Sequence, residues 1–425
     1  MKVVIMAGGK GTRIAIVNSE VPKPMITILD KPILEYQIEC LKKQGYTDIV
    51  ITVGHLGKCI REYFQNGARF GVNIDYIEEN EPLGTAGALY YLKDKLREDF
   101  LLINGDIIFD VDIKRFLNYH KKNEGIVTIL THPNDHPYDS GIIVADYDGF
   151  VTQWLSKEDN RLWYQNRVNA GMHMCSPKIF DYFSELKKVD LDRDILKKLV
   201  LSRKLVAYDS PEYIKDMGTP ERYYEVINDI ESKKVYKKNL FHKQKAIFID
   251  RDGTINKHVG FLNDIVNFEL LEGVAEAIRK INHSDYLAIV ITNQPVIARG
   301  EVTVNELQEI HNKMETLLGE EGAYLDAIYY CPHHPDKGFE GERLEYKVVC
   351  ECRKPKPGLI YQARDKFNID LAESYMIGDE QTDILTGIAA GCKTYYVGEK
   401  KIKQLETVRK ANLLEAVIDI LPNNS

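Results

Sequence analysis

The chain has 425 residues, of which 44% are hydrophobic and 28% charged, which excludes a disordered, collagen-like or disulfide-rich protein. Its 56 basic and 64 acidic residues give a net charge of −8, and this balance offers no support for binding to nucleic acid or to an anionic membrane. At roughly 150 residues per domain, the length predicts two or three domains. The chain begins MKVVIMAGG, which reads as an apolar strand and not as a signal peptide, and no run of about 18 apolar residues follows. We therefore expect a cytoplasmic protein, and no feature of the sequence predicts its oligomeric state.

The elements of the first half predict an α/β domain. A strand over 3–7 runs into a glycine-rich turn, an amphipathic helix covers 33–46, and further strands cover 48–55 and 100–106. A helix over 223–230 ends this half. Strands that alternate with helices are typical of a mostly parallel sheet.

The elements of the second half repeat this pattern from a new start. A strand over 245–249 enters an Asp-rich turn, a helix covers 274–284, and strands cover 286–294 and 374–378. The tail, 405–421, has the pattern of one amphipathic helix packed on this domain.

These elements divide the chain into three parts. We predict a domain over 1–232, a lysine-rich linker over 233–244 that is solvated, and a second domain over 245–425.

A glycine-rich loop follows the first strand. Its small residues let backbone N–H groups approach phosphate oxygens, although its spacing is neither that of a P-loop nor that of a dinucleotide fingerprint. Arg13 adds a bidentate fork for a polyphosphate, and Lys23 is held between two prolines that fix its direction. The candidate nucleotide-binding residues of the loop are Gly8, Gly9, Gly11 and Thr12.

Three further segments belong with this loop. The small residues of 81–88, Gly84 and Thr85 among them, would leave a slot for a flat base. Asp106 ends a strand, and Asp216 lies far along the chain. Two carboxylates from separate elements suit one Mg²⁺ that bridges phosphates.

The motifs GGKGTR, PKPM, EPLGTAGAL, NGD and DMGTP, in this order, resemble the sugar-1-phosphate nucleotidyltransferase family. The resemblance implies a Rossmann-like, GT-A-like mixed sheet and transfer of a nucleotidyl group from a nucleoside triphosphate to a sugar 1-phosphate. It implies that Arg13 and Lys23 contact phosphates and that Asp106 and Asp216 hold Mg²⁺. Residues that match the sugar-side segments more loosely are Lys157, Asn169 and Gly171.

Within that family, KPILEY, ARFG and EPLGTAGAL are most similar to heptose-1-phosphate guanylyltransferases, and mannose-1-phosphate guanylyltransferases are close behind. GTP is therefore the expected nucleotide on the strength of the resemblance alone.

The second half carries a different set of polar residues at strand ends. Asp250 and Asp252 lie on the same side of an extended backbone, so one can attack phosphorus while the other handles a proton. Thr292 and Asn293 end the next strand with groups that can bind phosphate oxygens. Arg353 and Lys354 supply cations, and 378–383 ends a strand with two acids for a metal.

The order DRDGT, TNQ, RKPKPG and GDxxxD resembles the haloacid dehalogenase (HAD) phosphatase superfamily, which implies a Rossmann-like parallel sheet. By this resemblance Asp250 is the nucleophile that forms an aspartyl-phosphate, and Asp252 is the general acid and base. Thr292 and Lys354 would stabilise the phosphoryl group. Mg²⁺ would be bound by Asp250, the backbone carbonyl of Asp252 and Asp379, with Asp383 orienting the metal shell.

A C-x-H…C-x-C pattern lies between the strands predicted over 286–294 and 374–378. Three thiolates and one imidazole make a closed, tetrahedral and therefore structural Zn²⁺ site. The predicted ligands are Cys331, His333, Cys350 and Cys352, with His334 as an alternative to His333. The competing interpretation is a group of reduced, buried cysteines.

CPHHP, CRKPKPG and ARG after TNQ are similar to heptose-bisphosphate phosphatases, which implies removal of the 7-phosphate from heptose 1,7-bisphosphate. Sugar contacts would come from Arg353 and from His258, Val259, Gly260 and Phe261. The sequence departs from the pattern at Pro295-Val296, where Ser-Gly is usual. It departs again at Glu380, where a lysine is usual and a carboxylate would repel a second phosphate.

The two resemblances meet in one reaction sequence, because the first product is the second substrate. One alternative is a mannose-1-phosphate-type transferase fused to a histidinol-phosphate-like or other small-molecule phosphatase. Another is a sugar-nucleotide-binding regulatory protein with one inactive site.

Overall fold

The computed structural model describes residues 1–8, 21–54, 56–79, 81–403 and 406–422. Its contacts divide the chain into two compact units. The first unit comprises Met1–His132, Ile143–Trp154 and Asn169–Asn239, and the second comprises Pro133–Ile142, Leu155–Val168 and Leu240–Ser425. Among the described residues, no helix has both the length and the apolar character that a membrane crossing needs.

The strands of the first 240 residues form mostly one large mixed sheet. Strands β1 to β13 cover, in chain order, Val3–Met6, Thr27–Ile28, Lys31–Pro32, Asp48–Val53, Asn73–Glu78, Phe100–Asn104, Ile107–Asp110, Val127–His132, Ile142–Ala145, Val151–Leu155, Val168–Cys175, Leu205–Asp209 and Tyr213–Asp216. The sheet order is β10-β9-β11-β6-β1-β4-β5, with β8 also beside β11 and β12 beside β8. Strands β6, β1, β4 and β5 are parallel neighbours, whereas β11 is antiparallel to β6.

The helices between these strands begin and end where the local sequence directs. Helices α1 to α6 cover Ile33–Lys43, Gly57–Phe64, Ile113–Lys122, Lys197–Leu201, Pro220–Glu231 and Lys234–Lys237. Helix α1 starts after Pro32 and is followed by Gly45, whose φ of 83° is the left-handed conformation that stops a helix. Helix α5 starts with Pro220 behind a Thr219 cap.

Short helical turns complete the chain. The 3₁₀ turns are Lys23–Met25, Ala68–Phe70, Gly87–Leu92, Pro137–Asp139, Pro177–Tyr182, Ile265–Asn267 and Leu344–Tyr346, and a π-helix covers Leu191–Leu196.

The second unit is built on a parallel sheet. Strands β14 to β19 cover Lys245–Ile249, Tyr286–Asn293, Ala327–Cys331, Tyr375–Gly378, Lys393–Tyr396 and Val408–Arg409, in the order β16-β15-β14-β17-β18-β19. Helices α7 to α11 cover Val274–Asn282, Val304–Glu320, Gly358–Phe367, Gln381–Ala390 and Leu413–Ile420. Because β14 lies between β15 and β17 with all three parallel, the loops that follow them share one edge.

The central strand of each sheet serves two hydrophobic cores. In β1, Val3 and Ile5 face one core and Val4 faces the other. In β14, Ile247 and Phe248 likewise face opposite cores. Successive strand residues point to opposite faces, so an uninterrupted apolar run places a strand between two layers of helices.

The mixed first sheet and the parallel second sheet agree with the predicted fold class, and the helices predicted over 33–46 and 274–284 are confirmed as α1 and α7. The tail prediction is half wrong. Residues Val408–Arg409 form the edge strand β19 beside β18, and only Leu413–Ile420 is helical. The apolar face of α11 packs into the core around β14, as expected.

The lysine-rich segment is not uniformly solvated. Lys234 and Lys238 are buried, and Lys234 Nζ lies 3.5 Å from Asp229 Oδ1 at the end of α5. The expectation of a solvated run is therefore wrong for these two lysines.

Helix α8 of the second unit is covered by residues from two earlier segments of the chain. Arg167 Nη1 lies 3.2 Å from Glu315 Oε1 with both side chains buried, and Arg167 Nη2 donates to the carbonyl of Asp326 at 3.0 Å. Thr316 Oγ1 accepts from Tyr164 N at 3.0 Å, and Pro137 lies against Gly319. The segments 133–142 and 155–168 thus belong to the second unit and pack on α8.

Arg167→Met should destabilise the second unit by about 3–5 kcal/mol, because it removes the buried cation that lies 3.2 Å from Glu315. Urea unfolding followed by the fluorescence of Trp163, in a Trp154→Phe background, measures the change. Arg364→Met, which removes an exposed arginine partner of Asp365, is the matched control and should shift stability by no more than about 0.5 kcal/mol. Equal shifts in the two variants would contradict the buried pair.

Candidate active sites

The first site brings two predicted metal ligands together through backbone pairing. Strands β7 and β13 are antiparallel with Asp216 opposite Ile107, and Met217 N donates to the carbonyl of Asp106 at 3.0 Å. Asp106 and Asp216, from distant parts of the sequence, therefore have neighbouring backbones at the carboxyl edge of the sheet.

Each of these carboxylates has a cation partner. Lys23 Nζ donates to Asp106 Oδ2 at 2.5 Å, and Arg222 Nη1 contacts both oxygens of Asp216 at 2.6 and 2.7 Å. Arg222 lies in the first turn of α5 and was not singled out from the sequence, although its place two residues after the DMGTP motif was a signal for it. The arrangement can bind phosphate oxygens through the cations and a divalent ion through the carboxylates.

The described part of the glycine-rich loop ends at Gly8, where a side chain would collide with Glu79. An added Cβ at Gly8 would lie 2.6 Å from Glu79 Oε1. The other carboxylate oxygen accepts from Leu83 N at 3.1 Å, and burial raises the pKa of Glu79. The predicted residues Gly9, Gly11, Thr12 and Arg13 lie outside the described residues.

The predicted base-facing loop packs closely on the chain at 187–191. An added Cβ at Gly84, whose φ is 82°, would lie 2.5 Å from the carbonyl oxygen of Val189. Thr85 Oγ1 accepts from Leu191 N at 2.7 Å. The packing of this loop on the chain at 187–191 is by itself a sufficient reason for its small residues.

The looser sugar-side predictions fall in two places. Asn169 Oδ1 accepts from Gly171 N and lies 3.2 Å from His173 Nε2, and an added Cβ at Gly171 would lie 2.6 Å from Asn104 Nδ2. Asn169 and Gly171 therefore stand beside the end of β6, close in the chain to Asp106. Lys157 is exposed and belongs to the second unit.

The second site centres on one buried lysine. Lys354 Nζ lies 2.6 Å from Asp250 Oδ1 and 2.6 Å from Asp383 Oδ1, and it donates to the carbonyl of Ile291 at 3.0 Å. Asn293 fixes the lysine backbone, since its side chain accepts from Lys354 N and donates to Lys354 O. Asn293 thus has a positioning contact in addition to its predicted substrate role.

Three carboxylates lie together at the strand ends, and two of them contact this lysine. Oxygens of Asp250, Asp379 and Asp383 lie within 4.8 Å of one another. Burial and the charge of Asp383 raise the pKa of Asp250, and burial followed by the charge of Asp250 raises the pKa of Asp379 to about 6. Such repulsion is relieved by a divalent cation, and an all-oxygen donor set fits Mg²⁺.

Asp252 is held by three neighbours. Arg251 Nη2 donates to both carboxylate oxygens at 2.8 and 2.9 Å, Gln294 Nε2 donates at 2.8 Å, and Asn256 Nδ2 donates at 3.0 Å. Burial acts to raise the pKa of Asp252, but the charge of Arg251 and these hydrogen bonds outweigh it and hold the pKa below its ordinary value. Gln294 Nε2 also donates to the buried Thr292 Oγ1 at 2.9 Å. The Gln294 side chain thus links two predicted residues, Asp252 and Thr292.

The support beneath Asp252 was missed from the sequence. The Arg251 side chain is fully buried, and its Nη1 lies 3.2 Å from His311 Nε2 of α8. Burial and the charge of Arg251 lower the pKa of His311 to about 3, so the imidazole is neutral beside the guanidinium. The position of Arg251, a charged residue between the predicted catalytic residues Asp250 and Asp252, was a signal for its role. Nothing in the sequence indicated His311 as its partner.

The predicted zinc ligands form one cluster. Cys352 Sγ lies 3.2 Å from Cys331 Sγ, 3.3 Å from Cys350 Sγ and 3.2 Å from His333 Nδ1. These three cysteines and His333 form a group of potential metal ligands, and none of the three cysteines is in a disulfide. Donors at about 3.8 Å surround a tetrahedral Zn²⁺ with 2.3 Å bonds, so a small adjustment of this set fits the ion.

The residues predicted to contact the sugar lie in loops that follow β14 and β16. His258, Val259, Gly260 and Phe261 are exposed, and Arg353 Nη1 donates to the carbonyl of His333 at 3.1 Å, which joins it to the cysteine cluster. Glu380 caps α10, and its Oε1 lies 3.3 Å from Lys400 Nζ.

Comparison with known proteins identifies both halves. The family described as Nucleotidyl transferase matches residues 2–233, and the family described as HAD-hydrolase-like matches residues 351–421. A D-glycero-beta-D-manno-heptose-1,7-bisphosphate 7-phosphatase of Haemophilus ducreyi is 42% identical over 182 residues, which are 42% of this chain and 97% of the relative. The chain belongs to the nucleotidyl transferase family in its first half and to the HAD phosphatases in its second.

Two further relatives match the nucleotidyl transferase half. A probable mannose-1-phosphate guanylyltransferase 2 of rice, Oryza sativa subsp. japonica, is 30% identical over 229 residues, which are 52% of this chain and 63% of the relative. The crystal structure of HddC from Yersinia pseudotuberculosis is 29% identical, with a TM-score of 0.48, over 54% of this chain and 99% of that one. The chain is thus a bifunctional enzyme with a nucleotidyltransferase and a phosphatase.

Gly253→Ala should abolish most phosphatase activity. Both Gly253 and Gly391 have positive φ, 85° and 83°, so alanine costs about 1 kcal/mol of backbone strain at either position. Only at Gly253 would the new Cβ collide with the Asp379 carboxylate, while nothing lies within 4 Å at Gly391. Phosphate release by the two variants measures the difference, and similar activities would contradict the role of this contact.

Proposed function

We propose that the second half removes the 7-phosphate of D-glycero-D-manno-heptose 1,7-bisphosphate and that the first half transfers GMP from GTP to the resulting heptose 1-phosphate. The observation that carries the proposal is the set of Asp250, Lys354 and Asp383 at the strand ends, in a half that matches a heptose-bisphosphate phosphatase over 97% of that relative's length.

The phosphatase reaction follows from the contacts of each residue. An Asp250 oxygen attacks the phosphorus of the 7-phosphate, the bond from phosphorus to the sugar oxygen breaks, and Asp252 gives that oxygen a proton. Asp252 then takes a proton from a water molecule, which attacks the aspartyl-phosphate and releases inorganic phosphate. Lys354 and Thr292 stabilise the charge on the transferred group.

The environment of Asp252 suits the second of these steps. Arg251, Gln294 and Asn256 favour its carboxylate form, which is the form that accepts a proton from water. A phosphate dianion close to Asp252 raises the pKa of its carboxyl group, because like charge disfavours ionisation, and this favours the protonated form for the first step.

Mg²⁺ would be held by Asp250, Asp379 and the backbone carbonyl of Asp252, with Asp383 orienting the set. When bound, it offsets the repulsion between the carboxylate nucleophile and the phosphate.

The nucleotidyltransferase reaction needs alignment and charge neutralisation more than covalent help. The sugar 1-phosphate oxygen attacks the α-phosphorus of GTP, and pyrophosphate leaves. Lys23, which lies at the carboxyl edge of the sheet, contacts phosphate oxygens, and Asp106 and Asp216 are the carboxylates for Mg²⁺. Gly9, Gly11, Thr12 and Arg13 complete the polyphosphate site, and Asn169, Gly171 and Lys157 the sugar side.

Mannose 1-phosphate is the second candidate substrate of the first half. The rice relative, named as a probable mannose-1-phosphate guanylyltransferase, supports it with 30% identity over 229 residues. The two candidates are distinguished by offering each sugar phosphate with each nucleotide in turn.

We expect the intact chain to release phosphate from heptose 1,7-bisphosphate and pyrophosphate from GTP in the same reaction. Asp250→Asn should lower phosphate release at least about 10³-fold and leave pyrophosphate release from added heptose 1-phosphate unchanged. Asp106→Asn should do the reverse, with a loss of about 10²-fold or more. Phosphate and pyrophosphate are followed separately, with both anomers and with GTP, ATP, dTTP, UTP and CTP.

Each other outcome identifies an alternative. Pyrophosphate from mannose 1-phosphate alone would overturn the heptose assignment of the first half. Nucleotide binding without any pyrophosphate release would support a regulatory protein with one inactive site.

We also propose that Cys331, His333, Cys350 and Cys352 bind one structural Zn²⁺, which holds the loop of Arg353 and Lys354. Cys352→Ala should remove the zinc and most phosphatase activity while nucleotidyl transfer persists, because the cluster lies within the second unit. Cys392→Ala, a buried cysteine of the same unit outside the cluster, should retain one zinc per chain. Metal analysis of the purified variants measures this, and equal zinc in both would contradict the site.

A further inference from the structure

Arg299, the arginine of the ARG motif after TNQ, contacts two aromatic rings of the second unit. The guanidinium carbon of Arg299 lies 4.1 Å from the ring centre of Phe261 and 4.5 Å from that of Phe339. Contact with two aromatic rings restricts the orientation of the guanidinium and reduces its hydration.

Three loops build this stack, and each follows a strand of the parallel sheet. Phe261 follows β14, Arg299 follows β15 and Phe339 follows β16. The last two loops are in close backbone contact, because Gly300 leaves no side chain to obstruct the carbonyl of Gly341 and Arg343 N donates to Ala298 O at 3.0 Å. The stack therefore stands on the edge of the sheet that carries Asp250.

The edge of the guanidinium is available to a ligand. Arg299 Nε lies 2.5 Å from Glu301 Oε1, and this ion pair holds the inner side of the group. In the part of the chain that the structure describes, neither Nη atom of Arg299 has a hydrogen-bond partner. Two parallel N–H donors on a fixed plane match the oxygens of a phosphate group.

The turn after β15 keeps Arg299 near the carboxylates. Arg299 N donates to Pro295 O at 3.0 Å, so the chain from Gln294 to Arg299 follows a helical turn and advances roughly 8 Å. Gln294 itself donates to Asp252 at 2.8 Å. Arg299 therefore lies on the same turn as Gln294, a residue that contacts Asp252.

Neighbouring charged groups leave this role open. The Glu380 carboxylate caps α10 and lies 3.3 Å from Lys400 Nζ, and one Nη of Arg353 donates to the carbonyl of His333. A second phosphate on the substrate needs a cation, and Arg299 supplies one whose Nη atoms have no hydrogen-bond partner among the described residues.

We propose that Arg299 binds the phosphate group of the sugar bisphosphate that the phosphatase half does not hydrolyse. Arg299 is in this way a specificity residue that distinguishes a bisphosphate from a monophosphate. The inference rests on the proposed function, since it takes a sugar bisphosphate as the substrate.

The test compares heptose 1,7-bisphosphate with heptose 7-phosphate as substrates of the intact chain. Arg299→Gln should raise KM for the bisphosphate about 10- to 100-fold, leave kcat nearly unchanged and leave both constants for the monophosphate unchanged. Arg299→Lys, which keeps the charge and loses the fork, should fall between. Lys347→Met is the matched control, because Lys347 also lies 4.5 Å from the Phe339 ring centre but its Nζ donates to Asp336 O.

The outcomes separate the two proposals. Equal losses on both substrates in Arg299→Gln, or loss of the preference for the bisphosphate in Lys347→Met as well, would assign Arg299 a structural role and overturn the inference. A wild-type chain that hydrolyses neither heptose phosphate would refute the proposed function instead. The same variants are then compared on fructose 1,6-bisphosphate and fructose 6-phosphate, where an unchanged preference overturns the role of Arg299 and a lost one supports it.

Discussion

Charge balance among carboxylates at strand ends is the constraint on which both sites depend. In the second unit, Lys354 lies between Asp250 and Asp383, and all three side chains are buried. Burial alone would lower the pKa of Lys354, but the two carboxylates raise it above its ordinary value, so the ammonium stays charged. In the first unit Lys23 and Arg222 balance Asp106 and Asp216 in the same way. The same cations that stabilise the folded acids are the ones that a phosphate group needs.

Parallel strands bring these groups together because all of them end at the same edge. Asp250, Thr292 and Asp379 follow or end three adjacent strands, and the loops between them carry Arg299, the cysteine cluster and Lys354. The first unit adds a separate two-stranded antiparallel sheet, β7 with β13, which sets the backbone of Asp106 beside that of Asp216. Chemistry in both units therefore lies on loops, while the buried strands supply only position.

The sequence predicts the parts of each site that a local pattern encodes. The acids after apolar runs, the C-x-H…C-x-C cluster and the pairing of Asp106 with Asp216 are brought together in the structure. The sequence does not predict the contacts of Arg251 with His311, of Arg222 with Asp216 or of Arg299 with its two rings, because each contact joins residues from different elements. The tail was misjudged for the same reason. Residues 408–409 form a strand because the edge of β18 offers backbone partners, which outweigh a helical pattern.

By itself the sequence determined the two α/β halves, the order of their motifs and the residue types that carry phosphate chemistry, since apolar runs and turn residues are local features of the sequence. Only the tertiary structure decided which cation faces which carboxylate, and that the segments 133–142 and 155–168 complete the second unit. It also decided that Lys234 and Lys238 are buried in a stretch that reads as a solvated linker. Burial and charge pairing are properties of the packed chain, because they depend on what other elements bring to the same place.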